Sequence, residues 1–270
     1  MAKSPGPNQT GNVPPRKSSA PPRKSAGSSR PPTKRAPRRR NRSQGRFYGL
    51  LVGLVVVIVA VVVIVLVTSG GGSSSITKQV AINFTANGTK VYGGIGPEGV
   101  PLELGQQLAS PNAGLTGAPI DGIQCNNSEQ LVYHHHIHLA IFINGQPRAV
   151  PLGIGMVPPA LVSNSAKGPF ADGSNTCLYW VHVHSTDGIV HIESPEVRTY
   201  LLTQIFGVWQ QPLSATQIGP YSGHVTATVN GQPWTGDPGE IPLDEHAQIV
   251  LNLDGPVVNP PPIVWNGTSL

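Results

Sequence analysis

The pattern of apolar and polar positions divides the chain into stretches of different kinds. From Tyr48 to Val67, 20 residues run without a charged or strongly polar side chain, mostly Val, Leu and Ile. At a helical rise of about 1.5 Å per residue, such a run covers the roughly 30 Å hydrocarbon core of a bilayer, which predicts a transmembrane helix over 48–68. A cleaved signal peptide would have an apolar region of only about 7–15 residues behind a short leader. Past residue 79 the period changes to two, as in Leu139-Ala140-Ile141-Phe142-Ile143 and Gln248-Ile249-Val250-Leu251-Asn252-Leu253. Asn-Gly, Asp-Gly and Gly-Pro pairs punctuate these runs, which is the signature of strands joined by tight turns. The fold class expected for 79–270 is all-β, a sandwich or open barrel of antiparallel hairpins. One short helix is predicted, around Leu202 to Trp209. Two Asn-Gly hairpins are expected, at Asn144-Gly145 and Asn230-Gly231, each preceded by a histidine six residues upstream, His138 and His224.

Charge sharpens this division. Of the 18 Lys+Arg, 13 lie in residues 1–47 and none of the 13 Asp+Glu do, so the net +5 joins a strongly basic leader to an acidic domain. The whole-chain balance therefore gives no reason to expect nucleic-acid binding. Residues 1–47, rich in Pro, Ser and Arg, have few apolar side chains to bury and are expected to be a disordered basic cytoplasmic tail. Lys34, Arg35, Arg38, Arg39, Arg40, Arg42 and Arg46 crowd one flank of the apolar run, whereas 69–78 is a Gly/Ser linker with Lys78 as its only basic residue. The positive-inside bias then predicts a single-pass protein of the cell membrane, with a cytoplasmic N-terminus and an external C-terminal domain. Membrane lipids are the expected partners, through the helix and the basic tail. No protein partner is indicated.

Cys125 and Cys177 are the only cysteines. On the external side a disulfide persists, and the pair is expected to close a loop worth about 3–4 kcal/mol of chain entropy. The alternative is a metal thiolate or a free nucleophile. A bridge would bring together the two segments that carry the histidines.

Seven of the nine histidines fall in Tyr133-His134-His135-His136-Ile137-His138 and in the segment from His182 to Glu193. Strand alternation puts His135, Ile137, Leu139 and Ile141 on one face, sending His134, His136 and His138 to the other. In the second segment Val181, Val183, Val190 and Ile192 face the core, and His182, His184, His191 and Glu193 face away. A two-residue turn at Asp187-Gly188 would set His184 opposite His191 and His182 opposite Glu193. Three imidazoles and a carboxylate form a ligand set for a divalent transition metal (Zn, Cu, Mn or Fe), with the His134, His136 and His138 strand contributing. Without a metal, the same histidines would form a pH-responsive face of an adhesion or ligand-binding module.

The wording YHHHIHLAIFING followed by CLYWVHVHSTDGIVHIESP resembles a family of bacterial, largely actinobacterial, membrane-anchored or secreted proteins of unassigned function. The resemblance spans about residues 120–265 and implies an extracytoplasmic domain without implying an activity. His182-x-His184 is also similar to the start of the first cupin motif, which implies a metal-dependent enzyme as a second reading. Glu193 follows His184 by nine residues, later than that motif places its Glu, so the correspondence stops at the H-x-H. No G-x-S-x-G elbow or phosphate-binding glycine loop is present.

Overall fold

A computed structural model describes residues 80–111 and 114–270. The basic tail, the apolar 48–68 stretch and the 69–78 linker lie outside the described residues, and among the described residues no helix is long and apolar enough to cross a membrane. The described part is dominated by strands and contains one α-helix, α1 (Leu202–Trp209), at the position the sequence predicts.

The strands that position the site are, in chain order, β1 (Tyr92–Ile95), β2 (Pro101–Glu103), β3 (Gln106–Gln107), β4 (Tyr133–Ile143), β5 (Gln146–Ala149), β6 (Ala160–Ser165), β7 (Gly168–Ser174), β8 (Val181–His182), β9 (Ile189–Ser194), β10 (Val225–Val229), β11 (Gln232–Pro233) and β12 (Gln248–Leu253). The largest sheet has eight of them in the order β8-β9-β4-β12-β10-β11, with β5 pairing the C-terminal half of β4 and β3 pairing β5. β1/β2 and β6/β7 form separate two-stranded hairpins. Both Asn-Gly pairs are the predicted turns: Asn144 and Gly145 have φ 52° and 70°, and Asn230 and Gly231 have φ 52° and 75°. Positive φ at both central residues is the twist-matched hairpin geometry that Asn-Gly favours.

The sheet departs from a set of antiparallel hairpins in two places: the short β3 runs parallel to β5, and β12 runs parallel to β4, pairing Gln248 with His138 through Leu253 with Ile143. The chain reaches β12 only after a long excursion through β9, α1 and β10, and a crossover of that length permits parallel pairing. β4 is thereby central and covered on both faces, which is why its second half is apolar at consecutive rather than alternate positions.

One face of the sheet, carrying Ile137, Leu139, Ile141, Val190, Ile192, Ile249 and Leu251, packs on α1 through Leu202, Ile205, Phe206 and Trp209. These side chains are almost fully buried, each contributing roughly 1.5–3 kcal/mol relative to exposure. The opposite face is also covered: Ala140, Phe142, Ile189 and Val250 meet Tyr92 of β1, Val100, Val258 and Ile263 in a second, smaller core. The histidine face of the sheet is therefore an interior surface, with only one end left open.

Cys125 and Cys177 are joined, with their Cα atoms 5.5 Å apart and 52 residues between them in sequence. The bridge sits beside the pairing of Cys125–Asn126 with Leu178–Tyr179, just ahead of β4 and β8. Reducing it is expected to lower unfolding stability by about 3–4 kcal/mol, read as a shift in the denaturation midpoint with and without reductant. An unchanged midpoint would show that the sheet alone holds these segments together.

Candidate metal centre

Three neighbouring strands bring the histidines into rows. β8 pairs with β9 so that His182 lies across from His191, and β9 pairs with β4 so that His191 lies across from His136 and Glu193 across from His134. Adjacent strands are about 4.8 Å apart, so His182, His191 and His136 form one row across the sheet, with Glu193 and His134 in the next. His184 lies just past the end of β8, where its carbonyl accepts from the Ala171 N–H (2.8 Å), and its ring folds back toward His182.

This register differs from the predicted one by two residues. His182, not His184, faces His191, because the connection after β8 is longer than a two-residue turn: Val183 donates to the Ile154 carbonyl (3.0 Å) and leaves the sheet. A slip of two preserves the face of every side chain, since strands alternate with period two, and the cluster survives it.

His182, His184, His191 and Glu193 are all buried and each offers one ligand atom within 4.8 Å of the others. A second group on the same criterion comprises His134, His136 and His191. His138 joins neither group. It faces Ile189 rather than His191, one step further along β4, and lies fully buried near Tyr92 with a ring separation of 6.2 Å. Burial lowers its pKa to about 4, so it is held neutral.

Each ring in the first group is fixed from behind. His182 Nδ1 lies 2.8 Å from the Tyr179 carbonyl, His184 Nδ1 lies 2.5 Å from the Ala171 carbonyl, and His191 Nε2 lies 2.6 Å from Glu98 Oε1. Carbonyl oxygens only accept, so both Nδ1 atoms carry the proton and both Nε2 atoms present lone pairs. Those two Nε2 atoms face each other at 2.9 Å. Neither ring takes up a second proton readily: burial lowers the His182 pKa well below its ordinary value, and burial together with the neighbouring His191 lowers that of His184 to about 4. Two lone pairs at that separation in a low-dielectric interior repel, and a shared cation removes the repulsion. Metal-ligating histidines are held in this way, with the outward nitrogen bound to a carbonyl or carboxylate and the inward nitrogens converging.

His191 is poised differently. Burial opposes its charge, but hydrogen bonds to Glu193 (Nδ1 to Oε1, 3.2 Å) and Glu98 outweigh that and raise its pKa to about 10. In the absence of an ion it is an imidazolium between two carboxylates, and binding a cation at Nδ1 requires loss of that proton.

Several contributors were not singled out from the sequence. Glu98 sits in the turn between β1 and β2, 93 residues from the histidine it holds. Glu129 Oε1 lies 3.8 Å from His184 Nε2, and Phe170 of β7 stacks on the His184 ring with centroids 4.7 Å apart and planes 4° from parallel. Local spacing carries no trace of such contacts. Glu98 and Glu129 also line a cavity of about 450 Å³ that reaches His134, His136, His184, His191 and Glu193. Trp180 packs in the larger core and Ile189 in the smaller one. No family model, no curated protein and no solved structure matches this chain.

Proposed function

We propose that the chain is a single-pass, membrane-anchored protein whose extracytoplasmic β-domain binds a divalent transition metal through His182, His184, His191 and Glu193. The observation that carries this reading is the convergence of the His182 and His184 Nε2 atoms at 2.9 Å while each Nδ1 is committed to a backbone carbonyl. Mixed imidazole and carboxylate donors suit Zn²⁺, Mn²⁺, Fe²⁺ or Cu²⁺. The apolar 48–68 run and its basic flank support the anchoring and orientation. A pH-responsive face is less well supported. Burial, the first cause for each, lowers the pKa of His136 to about 3 and that of His184 to about 4, so these rings stay neutral across mildly acid pH.

The cavity against the cluster favours one further reading, a cupin-like metal-dependent enzyme, since it gives a small molecule access to the ligand side of His184 and Glu193. The metal-binding reading is tested on the full chain purified from metal-replete medium, by elemental analysis of the wild type and of His182→Ala. Bound transition metal in the wild type and its loss in the variant are expected. A wild type free of metal, and unable to take it up on dialysis against Zn²⁺, would sink the proposal.

A further inference from the structure

Glu193 lies between two groups of imidazoles. Its Oε2 lies 3.7 Å from His182 Nε2, toward the buried group, while its Oε1 lies 3.3 Å from His134 Nε2, toward the other group, and 3.2 Å from Nδ1 of His191, which belongs to both groups. The two oxygens of one carboxylate thus face two sets of imidazoles. The second set has its own unsatisfied donor: His136 is 95% buried, its Nδ1 has no hydrogen-bond partner, and its ring meets those of His134 and His191 at 4.7 and 4.6 Å. An imidazole nitrogen ligates one ion, so if His191 serves the deeper set, His134, His136 and Glu193 Oε1 remain as three donors for another. They line the open cavity, where water or an oxyanion can complete the coordination.

We infer that the centre is binuclear: one divalent transition-metal ion held by His182, His184 and His191, a second held by His134 and His136 at the cavity mouth, and Glu193 bridging the two. This rests on the metal-binding reading above. Bridged ions in proteins lie about 3.5–4 Å apart, a spacing that one carboxylate spans. The arrangement also explains why β4 contributes histidines at both His134 and His136, when the buried set already has four donors without them.

The test is a zinc titration of the chelator-stripped full chain by calorimetry, with stoichiometry checked by elemental analysis after dialysis. Wild type is expected to bind two Zn²⁺ per chain, the His134→Ala/His136→Ala double variant to bind one with the tighter class retained, and His184→Ala to lose the tighter class. His134 is 40% exposed, so the single variant His134→Ala, expected to weaken the second class at least tenfold, serves if the double variant does not fold. Saturation of the wild type at one ion, or two ions persisting unchanged in the double variant and in His134→Ala, would overturn the second site while leaving the proposed function standing. No binding at all would remove both.

Discussion

Zinc added to the chelator-stripped full chain is expected to raise the melting temperature of the β-domain by about 5–10 °C, and His184→Ala is expected to abolish most of that rise. An ion present at a hundred times its dissociation constant stabilises the state that binds it by about 2.7 kcal/mol. For a domain of this size about 1 kcal/mol corresponds to roughly 2–4 °C. The effect is large because the apo site is internally unfavourable: it holds two converging lone pairs, and a buried imidazolium that must be neutralised on both sides. His184→Ala removes one converging nitrogen together with the stack on Phe170, so the variant keeps neither the repulsion nor the means of relieving it. Differential scanning fluorimetry with and without Zn²⁺ reads the outcome. An equal rise in wild type and variant would place the stabilising ion elsewhere, and the His135, Glu245 and His246 group, with His246 Nε2 2.9 Å from Glu245 Oε1, would be the next place to look.

What could be read from the sequence and what could not divide on a physical line. Faces were legible because alternation along a strand is a local property: His134 and His136, and His182, His191 and Glu193, share one face of the sheet as the pattern implies. The turns at Asn144-Gly145 and Asn230-Gly231 were legible because left-handed φ at two consecutive residues has few solutions. Helix α1 was legible from its apolar run after Ser194-Pro195. Register was not. Whether His182 or His184 faces His191 depends on how the chain after Val183 bonds to Ile154 and Ala171, and nothing between His182 and His191 encodes that. The parallel pairing of β12 with β4 is likewise a long-range choice, as is the position of Glu98. The cluster is insensitive to this difference because a shift of two residues leaves parity intact, whereas a shift of one scatters it. The covered second face went unseen for a related reason. The histidines seemed to face away from the core, but β1, β2 and the chain around Val258 and Ile263 close over that face and make it an interior. The closure buries His136, His138, His182, His184 and His191.

The same closeness of backbone to site makes Gly155 the position where a change without any functional group should do most damage. Gly155 has φ +79°, its carbonyl accepts from the Tyr179 N–H (2.7 Å), and it lies directly behind β8. A Cβ there would sit 2.5 Å from the Val181 carbonyl oxygen, 2.8 Å from His182 Cβ and 3.0 Å from His182 Cα. These are backbone and near-backbone atoms, so relief requires moving the strand that carries His182 rather than turning a side chain. Gly155→Ala should therefore cost about 2–4 kcal/mol of stability, from left-handed strain plus overpacking. It should also weaken Zn²⁺ binding at least tenfold, because His182 Nε2 is displaced from its partner. Gly231→Ala separates the two contributions. Gly231 has φ +75° with nothing within 4 Å of its Cβ position and lies in the β10–β11 turn, on the other side of β12 from β4, so that variant carries the strain without the clash. It should lose about 1 kcal/mol and bind zinc as the wild type does. Denaturant melts and zinc titrations on both variants read the difference, and a Gly155→Ala protein that matches Gly231→Ala in stability and affinity would show that β8 yields to the added methyl without disturbing His182.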